Sequence, residues 1–252
     1  MRGRSRDVRH QPVHHPLFAR SYARLAPLAD ERAGLGALRD ELLAGLTGRV
    51  IEIGAGSGLN FARYPRQVAE VVAIEPESHL RRLAVTAALR AHVPVDVVPA
   101  RAEALPVKSE AFDAAVTALV LCSVQDLRRS LGELRRVLRP GGELRFLEHG
   151  RARGRAMALT QRALDRTVWP ALCGGCHTSR EIVAEVRRAG FEIDIQRRLR
   201  VPERGLPLPT SSCVLGVARR PALPADDERP GTPGTPSAPG DSGGPPPGQR
   251  AG

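Results

Sequence analysis

The segment RVIEIGAGSGLN (49–60) joins a short β-branched run to a cluster of glycines. It predicts a buried strand that turns sharply into a helix, because glycine lets the backbone approach a ligand without a Cβ in the way. Glu52 precedes the loop, and the next apolar run, EVVAIEP, ends at Glu75, about 20 residues further on. A carboxylate at this spacing typically binds the ribose hydroxyls of a nucleoside cofactor. The alternative is that both carboxylates are strand-end surface residues.

Apolar runs alternate with helical patterns through the first 150 residues, as in the helices that we predict at 77–92 and 126–138. The second of these helices stops at the Pro/Gly breaker RPGG, and ELRFLEHG follows as the fifth strand. This alternation predicts βαβ units and a parallel sheet. The pattern then changes. Helices are predicted at 155–172 and 179–189, and the runs GFEIDIQRRLRV and SSCVLGVARR follow with no helix between them. Two such strands predict an antiparallel pair at the edge of the sheet.

Composition predicts one folded domain between two disordered ends. Residues 1–15 are basic with no apolar run, and residues 221–252 are rich in Pro and Gly. Such segments bury too little apolar surface to offset the entropy of ordering. The domain is then 16–220, with N-terminal helices at 16–47, in two pieces broken near Gly34 and Gly36, and a core at 48–220.

The formal net charge of +11 is carried almost entirely by arginine, since Lys108 is the only lysine. Such a charge suits nucleic acid or an anionic membrane surface. On the segment 126–139, however, the leucines form one apolar stripe, so the arginines point to solvent. An aromatic content of 3% is also too low to build base-stacking platforms. We expect no specific nucleic-acid partner, whereas peripheral membrane contact stays open and the oligomeric state stays unknown.

Targeting signals are not visible in the sequence. The N-terminal arginines lead into polar residues instead of an apolar h-region, and no run of about 20 apolar residues could span a bilayer. We therefore expect a cytoplasmic protein without a transmembrane segment. In that compartment thiols stay reduced, so the four cysteines do not imply disulfides.

The loop pattern E-x-G-x-G-x-G differs from the G-x-G-x-x-G of dinucleotide folds, where a preceding carboxylate would repel the pyrophosphate. It resembles the signature of class I S-adenosylmethionine-dependent methyltransferases, of the methyltransferase type 11 domain, whose ligand carries a sulfonium and no phosphate. The stretches ARAEALPV, FDAAVTALVLCSV and LRRVLRPGGELRFLEH resemble later parts of the same family. The resemblance implies a Rossmann-like α/β fold. Its seven-stranded sheet would have the order 3-2-1-4-5-7-6, with strand 7 antiparallel and helices on both faces.

The resemblance also implies S-adenosylmethionine as cofactor, S-adenosylhomocysteine as product, and a set of cofactor-binding residues. Glu75 would hold the ribose hydroxyls, Leu80 would pack on the adenine, and Ala102 and Glu103 would lie near it. The full implied set is Glu52, Gly54, Gly56, Gly58, Asn60, Glu75, Pro76, Leu80, Ala102, Glu103 and Leu119.

A closer resemblance concerns the methyl acceptor. The stretches GLNFARYP, LVLCSV, FLEH, VWP and GGCHTSR together resemble the methyltransferase-like thiol S-methyltransferases and their bacterial relatives. This implies a small thiol acceptor, with a substrate pocket that contains Cys122, Trp169, Cys176 and Arg180. Arg180 would bind a substrate carboxylate or cap a carbonyl, and Trp169 would roof the pocket or sit in the core. The alternatives are O- or C-methylation of a quinone or phenol, N-methylation of a lipid head group, and a regulatory module that only binds cofactor or metal.

A thiol acceptor needs a base, because the thiolate is the nucleophile. His149 ends the fifth predicted strand, and an ordinary imidazole pKa of about 6.5 suits that role. His177 is the second candidate. The alternative for His149 is that it only caps a strand.

The stretch Cys173-Gly-Gly-Cys176-His177 also fits the C-x-x-C-H pattern of covalent haem attachment. Haem of this kind is attached in exported proteins, and Cys173 lies outside the family loop that Cys176 matches. A zinc site built from this stretch would need about four ligands, the last one such as His149, and no second C-x-x-C exists. We therefore predict no metal.

Overall fold

The computed structural model describes residues 16–222, which contain one seven-stranded sheet. The strands are β1 Gly48–Ile53, β2 Val68–Ile74, β3 Val95–Val98, β4 Phe112–Ala118, β5 Leu138–His149, β6 Glu192–Arg200 and β7 Ser212–Arg219. Their order is β3-β2-β1-β4-β5-β7-β6, and β7 runs antiparallel to both β5 and β6. The predicted order and the antiparallel seventh strand are confirmed.

Seven α-helices accompany the sheet in the described region. They are α1 Pro16–Arg32, α2 Leu35–Leu43, α3 Ser78–Ala88, α4 Leu127–Val137, α5 Arg155–Leu164, α6 Trp169–Leu172 and α7 Ile182–Arg188. The predicted break between the first two helices lies at Gly34, which has φ 79°, a left-handed conformation that glycine adopts without steric cost.

Two predicted boundaries are wrong. The helical stretch at 155–172 is two helices, because Asp165 leaves the helix and its carboxylate accepts hydrogen bonds from the backbone of Thr178 and Ser179. Strand β5 begins at Leu138, before the Pro-Gly-Gly turn that we expected to precede it. The backbone groups of Gly141 and Gly142 pair with Arg220, just beyond β7, and so continue the ladder.

Apolar side chains pack on both faces of the sheet. Successive residues of β1 alternate between the two cores, since Ile51 belongs to the core under α4 and α7 and Val50 to the core under α2 and α3. Strands that are covered on both faces read as continuous apolar runs, which explains why the parallel strands stand out in the sequence.

The ends of the chain, 1–15 and 223–252, lie outside the described residues, so the expected disorder there stays a prediction, as do the domain limits. Within the described part, no helix is both long and apolar enough to cross a bilayer.

Candidate functional site

A cavity of about 430 Å³ lies at the carboxyl ends of β1, β2, β4 and β5. In open α/β sheets, ligands bind in the crevice where the strand order reverses, which here is between β1 and β4. Most of the predicted residues line this cavity. They are Gly54, Gly56, Glu75, Pro76, Leu80, Ala102, Glu103, Leu119, Cys122, His149, Trp169 and Cys176.

The glycine loop reaches the cavity because its backbone is held against β2. The amide N–H groups of Gly54 and Ala55 both donate to the carbonyl of Ile74, at 2.8 and 3.1 Å. Gly54 has φ 67°, and a Cβ built there would lie 2.3 Å from Cγ2 of Val120. Only glycine fits this position, because the Val120 side chain fills the space that a Cβ would need.

Glu75 presents a fixed carboxylate to the same cavity. Its Oε2 accepts a hydrogen bond from the amide of Gly56 at 2.7 Å, and its Oε1 accepts one from the amide of Glu77 at 2.8 Å. Burial raises the pKa of Glu75 to about 7. Each oxygen keeps a second lone pair, so the carboxylate can still accept two hydrogen bonds from ligand hydroxyls.

Glu52 and Asn60 lie behind the glycine loop, outside the cavity lining. The Glu52 carboxylate accepts hydrogen bonds from Asn60 Nδ2 at 2.9 Å and from the Tyr64 hydroxyl at 2.7 Å. Burial raises the pKa of Glu52 to about 7. Arg39, from α2, donates to the side-chain Oδ1 of Asn60 at 3.0 Å, so the network ties the loop to the N-terminal helices. Glu52 and Asn60 therefore support the glycine loop from behind.

Gly58 has a packing role in the same loop. Its φ is 84°, and a Cβ there would lie 2.7 Å from Cβ of Ala87 and 2.8 Å from the ring of Phe61. It also lies outside the cavity lining. The residue therefore allows the loop to pack closely on α3.

Two thiols and one imidazole meet at another part of the cavity wall. His149 Nδ1 lies 3.6 Å from Cys122 Sγ and 3.5 Å from Cys176 Sγ. Both cysteines are buried and reduced. A hydrogen bond from the Cys122 thiol, followed by one from His149, lowers the pKa of Cys176 to about 5. The same pairing with Cys176, together with burial, raises the pKa of Cys122.

The loop that carries Cys122 is fixed by the buried carboxylate of Glu148. This carboxylate accepts hydrogen bonds from the amides of Val120, Leu121 and Cys122 at 3.2, 3.0 and 3.3 Å. Burial raises the pKa of Glu148 despite these three donors. Because Glu148 precedes His149 in β5, one strand end positions both the imidazole and the facing thiol.

Arg180 and His177 hold the loop at 173–180 against the loop after β4. Arg180 donates to the carbonyls of Leu121 and Val124 at 2.6 and 2.8 Å, and the His177 amide donates to the carbonyl of Cys122 at 2.8 Å. Of the two roles expected for Arg180, its contacts match the capping of backbone carbonyls. Both residues lie outside the cavity lining.

The C-x-x-C-H stretch does not form one cluster. Cys176 pairs with His149 and with Cys122 from the loop after β4, and this group excludes Cys173 and His177. The sequence carried a usable signal, because Cys122 follows β4 and His149 ends β5, and these parallel strands are neighbours. Residues that follow neighbouring parallel strands meet at the same edge of the sheet.

Helix α1 contributes to the site in a way that the sequence did not indicate. Phe18 and Tyr22 line the cavity from this helix, and Phe18 packs closely on the cysteine loop. A Cβ built on Gly174 would lie 2.5 Å from the Phe18 ring. The helical spacing of apolar residues revealed the helix, but spacing alone does not show which surface the helix covers.

Comparison with known proteins identifies the family. Residues 51–146 match a methyltransferase domain. Thiol S-methyltransferase TMT1B of Mus musculus is 35% identical over 180 residues, which cover 69% of this chain and 72% of the relative. A SAM-dependent methyltransferase of Thermotoga maritima, described as a possible histamine N-methyltransferase, shares the fold with a TM-score of 0.60. At 22% identity, the match covers 81% of this chain and 96% of that structure. The chain belongs to the S-adenosylmethionine-dependent methyltransferases.

This methyltransferase therefore uses S-adenosylmethionine as methyl donor and yields S-adenosylhomocysteine. A second group of relatives has a different acceptor. The ubiquinone/menaquinone biosynthesis C-methyltransferase UbiE of Syntrophotalea carbinolica is 36% identical over 149 residues, which cover 58% of this chain and 62% of the relative.

Proposed function

We propose that this methyltransferase transfers the methyl group of S-adenosylmethionine to the sulfur of a small thiol. The observation that carries the proposal is the 35% identity over 180 residues to a thiol S-methyltransferase. The cavity supports it, because its wall includes two thiols and an imidazole beside apolar groups. We expect the reaction to take place in the cytoplasm, where a thiol acceptor stays reduced.

The cofactor would lie along the glycine loop. Gly54 and Gly56 line the cavity beside Glu75, and the free lone pairs of Glu75 would accept hydrogen bonds from the ribose hydroxyls. Leu80 and Ala102 would contact the adenine, with Pro76, Glu103 and Leu119 close by. Glu52, Gly58 and Asn60 would act indirectly, through the position of the loop.

Methyl transfer from this cofactor is a displacement at a carbon that the sulfonium already activates. The new bond between acceptor sulfur and methyl carbon forms as the sulfonium bond breaks, and its electron pair stays on the cofactor sulfur. The protein must align the two partners and exclude water. Phe18, Tyr22 and Trp169 line the cavity and would shield the reacting atoms.

The acceptor would react at the end of the cavity that contains Cys122, His149 and Cys176. Its proton must leave before transfer, since the thiolate is the nucleophile. Arg180 and His177 would serve this end of the site by holding its two loops together.

C-methylation of a quinone is the second candidate, because the chain is 36% identical to a quinone C-methyltransferase over 149 residues. Such an acceptor is larger and flatter than an alkyl thiol. It would contact mainly the apolar part of the cavity wall, between α1 and the cysteine loop, and would depend less on the two thiols.

Labelled S-adenosylmethionine and a panel of acceptors would test the proposal. The panel contains alkyl thiols, hydrogen sulfide, catechols, quinols and phosphatidylethanolamine. The control variant is Glu70→Ala, because Glu70 lies on β2 and outside the cavity. We expect methylated thiol as the main product, with the control equal to the wild type. A methylated quinol as the main product would refute the thiol proposal and support the second candidate.

A further inference from the structure

The atoms of Cys122, His149 and Cys176 have the spacing of metal ligands. His149 Nδ1 lies 3.6 and 3.5 Å from the two sulfur atoms, and all three atoms lie within 4.8 Å of one another. Zinc bonds of about 2.3 Å to sulfur and about 2.0–2.1 Å to nitrogen, at tetrahedral angles, place nitrogen and sulfur about 3.5 Å apart. The two measured separations therefore match two edges of a zinc tetrahedron.

We propose that Cys122, Cys176 and His149 bind a zinc ion, and that its fourth position takes the sulfur of the methyl acceptor. Three protein ligands with one open position characterise catalytic zinc sites, whereas structural sites are closed by four. All three side chains line the cavity, so an ion held between them would lie at the cavity wall, beside the space that an acceptor would enter. The zinc site stands on its own geometry, and the role of its fourth position rests on the proposed thiol acceptor.

The two loops that supply the sulfur ligands are held before any metal arrives. Three amides of the Cys122 loop donate to the buried Glu148 carboxylate. The His177 amide then bonds the Cys122 carbonyl, which places Cys176 beside it. A preorganised ligand set loses little conformational entropy on binding the ion, and such surrounding hydrogen bonds tune metal affinity.

The charges at such a site balance. Two thiolates neutralise the zinc ion, and an acceptor thiolate makes the complex singly negative beside a cationic sulfonium. The acceptor releases its proton to solvent when its sulfur binds the metal, as metal binding to thiols generally does. When the sulfur–methyl bond forms and the sulfonium bond breaks, the product becomes a neutral thioether, a poor zinc ligand, and can leave.

This assignment changes two predictions from the sequence. His149 becomes a metal ligand instead of a general base, and the predicted absence of a metal is replaced by a site. The site also differs from the zinc alternative in the C-x-x-C-H stretch, because Cys122 takes the place of Cys173. Spacing along the chain pointed to Cys173, whereas the neighbouring ends of β4 and β5 supply Cys122 and His149.

Metal binding by the full chain tests the site without any assay of activity. The chelator-treated protein is dialysed against Zn²⁺ or Co²⁺, bound metal is measured, and the cobalt form is examined for thiolate-to-cobalt charge-transfer absorption and tetrahedral d–d bands. We expect one ion per chain. Cys122→Ser, Cys176→Ser and His149→Ala should each weaken zinc binding more than the roughly 10- to 100-fold that loss of an outer-shell partner costs. Cys173→Ser is the matched control and should leave metal binding unchanged, because Cys173 is not part of the cluster.

The outcomes separate the metal site from the proposed function. Absence of binding by the wild type, or binding that survives Cys122→Ser, would overturn the zinc site while leaving thiol methylation to its own assay. The cobalt spectrum of the wild type shows whether thiolates bind the metal, even where a variant fails to fold. Cofactor binding by each variant reports whether that variant has folded. Addition of an alkyl thiol should shift the cobalt bands. Bands that stay unchanged in the presence of a thiol that the enzyme methylates would overturn the role of the fourth position.

Discussion

Replacement of Glu75 by alanine should weaken cofactor binding by a predictable factor. The carboxylate is held by two backbone amides, and each of its oxygens keeps a lone pair free for a ligand hydroxyl. A hydrogen bond to a charged group contributes roughly 1.5–3 kcal/mol. Since about 1.4 kcal/mol corresponds to a factor of ten, loss of even one of the two bonds should raise the dissociation constant at least about tenfold.

The pH dependence of binding gives this prediction a second signature. Burial raises the pKa of Glu75 to about 7, and hydroxyl donors favour the ionised carboxylate, so binding should lower that pKa. About one tenth of the carboxylates are ionised at pH 6 and about nine tenths at pH 8. The contribution of Glu75 to affinity should therefore grow roughly tenfold as the pH rises from 6 to 8.

Isothermal titration calorimetry with S-adenosylhomocysteine at pH 6 and pH 8 would measure both effects. The ratio of wild-type to Glu75→Ala affinity cancels the titration of the ligand and of Glu52, which are common to both proteins. Glu70→Ala, on β2 and therefore on the strand that Glu75 directly follows, lies outside the cavity; it is the control and should leave affinity unchanged. An unchanged dissociation constant in Glu75→Ala, or a ratio that does not vary with pH, would refute the ribose assignment.

Three further predictions concern the scaffold of the site. Tyr64→Phe removes a donor to buried Glu52, whose pKa of about 7 makes the loss greatest above pH 7. Urea denaturation should show unfolding free energy lower by about 1–3 kcal/mol at pH 8, and an equal loss in a Glu52→Ala background would contradict the contact. Gly54→Ala places a Cβ 2.3 Å from a valine side chain, while Gly34→Ala meets nothing within 4 Å at a similar φ. Only the first should abolish cofactor binding, and equal binding by the two variants would refute the steric argument. Glu148→Gln should lower kcat in methyl-transfer assays while cofactor affinity stays near wild type, and a lost affinity with intact kcat would argue against its role.

The parallel half of the fold could be predicted from the sequence because its strands are covered on both faces. Strands such as β1 and β4 are short, buried and mostly apolar, and the helices along the same part of the chain show apolar spacing. The strand order came from the family resemblance instead. The start of β5 at Leu138 was missed because a Pro-Gly-Gly sequence ordinarily ends regular structure, whereas here Arg220 pairs with it.

The positions of side chains at the site were harder to predict from the sequence than the strands. Glu52 stood in the family motif, yet its partners Asn60 and Tyr64 turn its carboxylate away from the cavity. A motif fixes the residue type and the course of the backbone, but the direction of a side chain depends on donors elsewhere in the chain. The positions of Phe18 and Tyr22 in the cavity wall were not predicted for a similar reason, since helical spacing does not reveal which surface a helix covers.

In the cysteine stretch, spacing along the chain and the topology of the sheet predict different groups of neighbouring side chains. Cys173 and Cys176 are three residues apart in a known ligand pattern, but the glycines between them take left-handed conformations with φ 61° and 91°. A Cβ on Gly175 would lie 2.7 Å from the carbonyl of Ser123, so this turn packs directly on the loop after β4. That close approach brings Cys176 to Cys122, and it requires glycine. The pair of glycines therefore serves the contact between two loops, and the ligand set follows from the adjacency of β4 and β5.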